Sequence, residues 1–154
     1  EMGEVWVKTP TIMNGYFNNP EQTAKVMRDG WYLTGDIGWL SEDGHLTLID
    51  RKNEMFISGG ENVYPSEIAA CIRKFTGVAD VAVERVSDER WGESAVAFVE
   101  PNVGIKLDPQ EISDWCATAL GHYKRPKKVV IVDSLQRKET GKVPREYLLS
   151  LLEK

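Results

Sequence analysis

The spacing of apolar residues changes part-way along this 154-residue chain, and that change limits its possible folds more than any single motif does. Up to Asp50 the apolar residues come in strand-length runs at residues 4–8, 37–40 and 45–50. The last two are joined by Ser41-Glu42-Asp43-Gly44, whose Asp-Gly pair takes up positive φ at little cost. One short helix interrupts them, with Asn19 as cap, Pro20 in the first helical position and Glu21 in the first turn. A further strand at 55–57 ends at Ser58-Gly59-Gly60. Beyond it the period becomes helical: Pro65-Ser66-Glu67 opens a helix with Ile68, Cys71, Ile72 and Phe75 on one face. Strands at 78–86 and 94–100 follow. A second helix starts at the capping-box variant Asp108-Pro109-Gln110-Glu111, turns Ile112, Trp115, Cys116 and Ala119 inward and is closed by Gly121. A buried strand at 129–132 leads to a terminal helix from Pro144, carrying Leu148, Leu149, Leu151 and Leu152. The order βαββαβ, then loop and helix, predicts a compact α+β domain over residues 51–154. Residues 1–50 are expected to be β-rich material belonging to another domain.

Composition narrows the class further. With 42% hydrophobic and 28% charged residues, bulk disorder and collagen-like repetition are excluded, and no apolar run is long enough for a membrane-spanning helix. Cys71 and Cys116 sit among apolar helical residues and form no CxxC pair, which points to a reducing, cytoplasmic setting and not to a disulfide scaffold. Glu1-Met2-Gly3-Glu4 runs at once into strand-like Val5-Trp6-Val7, so the chain is expected to be a piece of something longer. The net charge of -5 is unevenly spread. Residues 1–50 carry three Lys/Arg against eight Asp/Glu and residues 51–120 seven against twelve, whereas residues 121–154 carry nine against four. A basic tail on an acidic body is either a solvated face or a phosphate site. Nucleic acid is not expected as a partner, because the acidic body would repel a long polyanion.

Several short segments can carry chemistry, and each also has a plain structural reading. Thr34-Gly35-Asp36 reads as a turn, yet a carboxylate there has the two acceptor oxygens that the vicinal hydroxyls of a ribose need. Arg51-Lys52-Asn53-Glu54 is a charged corner, or a polar junction where rotation breaks few contacts. Gly59-Gly60 makes a tight turn or lets backbone approach a ligand closely. Trp91, after Ser87-Asp88-Glu89-Arg90, packs on its sheet or offers a flat face to a purine. Tyr123-Lys124-Arg125-Pro126-Lys127-Lys128 is the densest basic cluster and has the charges to grip phosphates. Lys142, in Thr140-Gly141-Lys142-Val143, is a surface lysine or a point charge delivered to a reacting phosphate. No metal-ligand set is assigned.

Taken together, these segments resemble the C-terminal part of the AMP-forming acyl-CoA synthetases, of the adenylate-forming superfamily and its fatty-acid and aryl-acid branch. The resemblance runs through Gly3-Glu4-Val5-Trp6-Val7, Met13-Asn14-Gly15-Tyr16 to Thr23, Asp29-Gly30-Trp31, Tyr32-x-Thr34-Gly35-Asp36, Asp50-Arg51, Ser58-Gly59-Gly60-Glu61-Asn62-Val63-Tyr64-Pro65-Ser66-Glu67-Ile68 and Thr140-Gly141-Lys142-Val143. It implies a small C-terminal domain with a central mixed sheet flanked by helices, after the end of a large N-terminal domain. It also implies two reactions: a carboxylate attacks the α-phosphate of Mg-ATP to give acyl-AMP and pyrophosphate, then a thiol displaces AMP. By resemblance Asp36 holds the ribose, Arg51 contacts the nucleotide and Lys142 bridges carboxylate and phosphate. Asn53 is the pivot, at a position where the family usually has Asp or Lys. Gly59 and Gly60 line the pantetheine tunnel, Trp91 stacks on the CoA adenine, and Arg125 and Lys127 bind CoA phosphates beside Tyr123.

The same resemblance places the ATP-phosphate loop, the magnesium ligand and the acyl pocket before Glu1, so the chain alone is expected to lack ligase activity and the acid is not legible. Two other readings stay open at this point. One is a carrier-protein-dependent adenylation enzyme, and the other is a stand-alone nucleotide-binding or docking module without catalysis.

Overall fold

The computed structural model describes residues 2–152, which fall into two compact units, one ending at Glu54 and the next beginning at Met55. No helix among the described residues is long and apolar enough to cross a membrane.

In the first unit, β1 (Met2–Val7), α1 (Pro20–Val26), β2 (Met27–Arg28), β3 (Trp31–Leu40) and β4 (Leu46–Arg51) form a four-stranded antiparallel sheet with one short helix. Asn19 caps α1 as expected, its Oδ1 accepting from the Gln22 N–H at 3.0 Å. The strand β3 corrects the reading of Thr34-Gly35-Asp36 as a turn, for it runs unbroken through all three residues with β1 on one edge and β4 on the other. Gly35, at φ +73°, absorbs the local irregularity, and the pairing shifts register between Glu4 and Trp6 on one side and between Ile37 and Gly38 on the other. The turn signal was real, but hydrogen bonding on both edges converted it into bulges. Trp6, Trp39, Leu46 and Leu48 remain exposed on this sheet.

The second unit is built around β8 (Gly92–Pro101), whose residues 94–99 are buried without interruption. Its other elements are β5 (Phe56–Ser58), β6 (Glu61–Val63), α2 (Pro65–Ile72), β7 (Val78–Asp88), α3 (Pro109–Ala119), a 3₁₀ turn at His122–Lys124, β9 (Lys128–Ile131) and α4 (Arg145–Ser150). One edge of β8 pairs with β7 along its length. The other edge is shared, with β5 bridging at Gly92 and β9 running parallel to Val96–Val99. The expected mixed sheet is therefore present, with an additional strand, β6, that has no apolar run to announce it.

Alternation along β8 sorts the core into two layers. Ala95, Ala97 and Val99 face α2 and α3, packing with Ile68, Ile72, Ile112 and Cys116, whereas Val96 and Phe98 face Leu135 and Leu148 of the α4 side. Two expectations for α3 need correction. Trp115 is 37% exposed at the rim, its indole N–H donating to the Cys71 carbonyl at 3.0 Å, and Ala119 is exposed. Gly121 does not close the helix with a left-handed turn either, since its φ is -55°. Arg125 supplies the cap instead, donating from Nε to the Leu120 carbonyl and from Nη2 to that of Ala117, each at 3.1 Å.

Candidate functional site

Asp36 and Arg51 lie directly opposite each other across β3 and β4, with Arg51 Nε 2.8 Å from Asp36 Oδ1. Both side chains are placed by backbone contacts. Thr34 Oγ1 donates to the Val5 carbonyl at 2.9 Å and accepts the Asp36 N–H at 3.0 Å, while Arg51 Nη1 donates to the Thr34 carbonyl at 3.3 Å. A hydrogen bond between the Tyr16 and Tyr32 side chains, helped by burial, raises the Tyr32 phenol above its ordinary value. Both tyrosines lie in the motifs on which the resemblance rests, yet neither was singled out as a site residue. Asn53 is exposed in the turn that closes with the Glu54 N–H on the Arg51 carbonyl at 3.0 Å.

In the second unit, Gly59 and Gly60 are the two central residues of the β5–β6 hairpin, at φ +60° and +90°. Two successive positive φ values are what a tight two-residue hairpin turn requires. Gly59 has a second constraint, because a Cβ there would penetrate the six-membered ring of Trp91, while one on Gly60 would meet open space. The Gly59 N–H donates to the Trp91 carbonyl at 3.0 Å, so hairpin and tryptophan are fixed together. Asp88 holds the tryptophan loop from the other side, its Oδ1 accepting the Arg90 and Trp91 N–H groups at 2.9 Å each. Those two donors, Trp91 first, hold the Asp88 carboxyl below the usual aspartate range.

Cations gather at the indole. Lys127 Nζ lies 5.0 Å and Arg90 Cζ 5.1 Å from the ring centroid, within cation–π range, and the His122 ring is 5.5 Å away at 46°. Arg90 was named only as part of a polar run, and its place beside Trp91 emerges from the fold. The basic cluster itself is divided. Lys127 joins Trp91, but Tyr123 packs against the apolar core, Lys124 pairs with Glu67 at 2.7 Å and Arg125 caps α3. Of the three residues expected at the CoA phosphates, Lys127 stands at Trp91, while Tyr123 and Arg125 turn to other neighbours.

Lys142 is exposed on the loop before α4. The loop closes on itself through the Gly141 N–H on the Lys138 carbonyl at 2.8 Å and the Lys138 N–H on the Lys142 carbonyl at 2.9 Å, with Gly141 at φ +77°. Arg137, just before it, forms a two-bond pair with Asp80 of β7, Nε to Oδ2 at 2.5 Å and Nη2 to Oδ1 at 2.8 Å. Those bonds hold the Asp80 carboxyl below the usual aspartate range. A carboxyl depressed by folding stabilises the fold above its unfolded value of about 3.9 and loses that contribution as pH falls through its folded value. The stability margin of the chain over its Asp80→Asn variant should accordingly be constant from about pH 5 upward and shrink below about pH 4. Urea unfolding at pH 7, 5 and 3 checks this, and a margin insensitive to pH would mean that the pair adds nothing.

The cysteines take no part in these groups. Burial, with Cys71 adjacent, pushes the Cys116 thiol up to about 12, so it is a packing element and not a nucleophile.

Comparison with known proteins shows what the chain is similar to. Residues 67–142 match the AMP-binding enzyme C-terminal domain. The chain is 41% identical over 152 residues to a 2-succinylbenzoate–CoA ligase of Geobacillus sp. strain WCH70, covering 99% of this chain and 31% of that protein. It is 42% identical over 146 residues to the long-chain-fatty-acid–CoA ligase FadD13 of Mycobacterium tuberculosis, covering 95% and 29%. Among solved structures, the o-succinylbenzoate CoA synthetase of Bacillus subtilis, in complex with the acyl-adenylate intermediate OSB-AMP, superimposes with a TM-score of 0.88 at 34% identity, covering 96% of this chain and 30% of that one. The chain thus spans about a third of the length of the relatives it matches.

Proposed function

We propose that this chain is the C-terminal part of an ATP-dependent acyl-CoA synthetase: residues 1–50 end a large N-terminal domain and residues 51–154 form its mobile C-terminal domain. The observation that carries this is the identity over nearly the whole chain to proteins named as CoA ligases. In the first half-reaction an oxygen of the acid's carboxylate attacks the α-phosphorus of ATP, the bond to the β-phosphate oxygen breaks, and pyrophosphate leaves. The Asp36 carboxylate accepts the ribose hydroxyls, with Arg51 beside it on the nucleotide. Lys142 brings its ammonium to the reacting oxygens, where it offsets the charge that develops in the transition state and aligns the two anions. Magnesium supplies further neutralisation of the phosphates when bound, and its ligands are assigned to the N-terminal domain.

In the second half-reaction the CoA sulfur attacks the acyl carbonyl and AMP departs. Gly59 and Gly60 give the pantetheine arm room beside the hairpin, and Trp91 with Lys127 receives the nucleotide end of CoA. Arg90 adds a cation at the same ring. The C-terminal domain turns between the two steps at the exposed Arg51–Glu54 corner, with Asn53 as pivot. Free CoA is favoured over a carrier-protein thiol because an aromatic face with two cations suits a phosphorylated adenine.

The test is to express the protein with its full upstream reading frame and assay acid-dependent ATP–pyrophosphate exchange, then acyl transfer to CoA and to a phosphopantetheinyl carrier protein. Exchange together with transfer to CoA is expected from the full protein, and neither from the 154-residue chain alone. Transfer to the carrier only would move the protein to the carrier-dependent branch. Turnover by the isolated chain would overturn its assignment as a part.

A further inference from the structure

The adenylation reading above requires the Lys142 ammonium to reach one point, yet Lys142 is a long side chain on an exposed loop. Misplacement of about 1 Å can cost about 100-fold in rate, so something must tie that loop to the rigid part of the domain. The two hydrogen bonds inside the loop shape it without attaching it to anything.

Val143, next in the chain, packs on the core layer of Val96 and Phe98, and a second attachment, on the other side of Lys142, runs through Arg137. One edge of its guanidinium holds Asp80 by two parallel bonds, and Nη2 also donates to the Val81 carbonyl at 3.2 Å. From the far side Nη1 donates to the Gly141 carbonyl at 2.7 Å. That carbonyl belongs to the peptide that carries the Lys142 nitrogen, so the bond fixes the plane from which the lysine starts. Asp80 is itself anchored: its Oδ1 accepts the Val81 N–H at 2.8 Å, and Arg73 Nη2 lies 3.8 Å from the same oxygen. The side chains of Arg137 and Asp80 are 35% and 27% exposed, so water screens the pair only in part. Its strand, β7, is paired with β8 from Val78 to Asp88. Only a planar, forked cation makes two parallel bonds on one side and a third on the other; a lysine in its place keeps the charge and loses the fork.

We propose that Arg137, braced by Asp80, is a positioning residue that sets the Lys142 loop for acyl-adenylate formation. This rests on the assignment of Lys142 to that step. Arg137 is not given a contact with substrate; it acts through the Gly141–Lys142 peptide.

The experiment compares Arg137→Gln, Arg137→Lys, Asp80→Asn and Lys142→Ala in the full-length protein. Each is assayed for acid-dependent ATP–pyrophosphate exchange and, separately, for thioester formation from preformed acyl-AMP and CoA. Arg137→Gln is expected to lower the exchange kcat by about 10- to 100-fold with little change in KM for ATP. Arg137→Lys should fail to restore it, Asp80→Asn should fall between Arg137→Gln and the parent protein, and thioester formation should stay within about twofold throughout. The double variant Asp80→Asn/Arg137→Gln should be no slower than Arg137→Gln alone, because both break one strut. Exchange at the parental rate in Arg137→Gln, equal loss in both half-reactions, or full recovery in Arg137→Lys would each overturn the proposal. Lys142→Ala separates the two layers of inference. If it leaves exchange intact, the adenylation role of Lys142 falls and the strut falls with it; if it abolishes exchange while Arg137→Gln does not, the strut alone falls.

Discussion

Lys142→Ala in the full-length protein is expected to slow acyl-adenylate formation by about 100- to 1000-fold while leaving thioester formation from preformed acyl-AMP largely intact. The size follows from the charge balance of the step. Two anions, a carboxylate and a triphosphate, must come together, and a cation poised at the new bond acts more strongly in the transition state than in the ground state. Removing one preorganised donor to a developing oxyanion costs about 3–4 kcal/mol, which is the range given. The asymmetry between half-reactions follows from the second step, where a thiol attacks a carbonyl already activated by AMP and the lysine has no reacting phosphate oxygens to neutralise. Because Lys142 is exposed and outside both core layers, the alanine variant should unfold at the same urea concentration as the parent protein. Stopped-flow or quenched assays of the separate half-reactions decide the matter. Equal loss in both would count against a domain that presents different faces in the two steps.

Gly59→Val should do the reverse, sparing adenylate formation and blocking acyl transfer, with a marked loss of stability. A β-branched residue held at φ +60° costs about 1–2 kcal/mol in backbone strain. The added carbons would enter the Trp91 ring, and overpacking of that kind costs about 1–3 kcal/mol more. Either the hairpin opens or the indole leaves its place beside Lys127, and both outcomes disturb the proposed path of CoA. Gly60→Ala is the matched control, because φ there is +90° but the added carbon meets nothing. It should cost about 1 kcal/mol and leave the tryptophan in position. If the two substitutions proved equally harmful, backbone strain alone would account for the result and the fit of Gly59 to Trp91 would not matter.

Helix starts were the most legible part of the sequence. Asn19-Pro20 and Asp108-Pro109 each combine a side-chain acceptor with a residue that has no N–H to satisfy, and both helices begin where that pairing predicts. Helix ends were less so. Gly121 looks like a stop, but the closing bonds come from Arg125, and no local rule distinguishes that arginine from its basic neighbours. β6 escaped notice because a strand of three residues, Glu61-Asn62-Val63, has no periodicity to detect. At the site, Asp36 is legible as a ribose acceptor from its own segment, whereas Arg51 gains a nucleotide role only through the family resemblance. Their ion pair depends on the register between β3 and β4, which a bulge alters. The Arg137–Asp80 pair joins residues 57 positions apart and could not be read from either segment alone.

The shared edge of β8 also bears on the order in which the polypeptide is made. Strands β7 and β8 are separated by only Glu89, Arg90 and Trp91, so they can zip together as soon as Pro101 has left the ribosome. The stretch from Val96 to Val99 then waits, with one edge unpaired, until Lys128–Ile131 emerges to lie parallel to it. During that interval Val96 and Phe98 also lack the cover that Leu135 and Leu148 later provide. A nascent chain halted between these two points presents an apolar, half-paired strand, the kind of surface that templates association with other chains. Emergence of Leu148 covers that face, so for this strand the vulnerable window lies in translation.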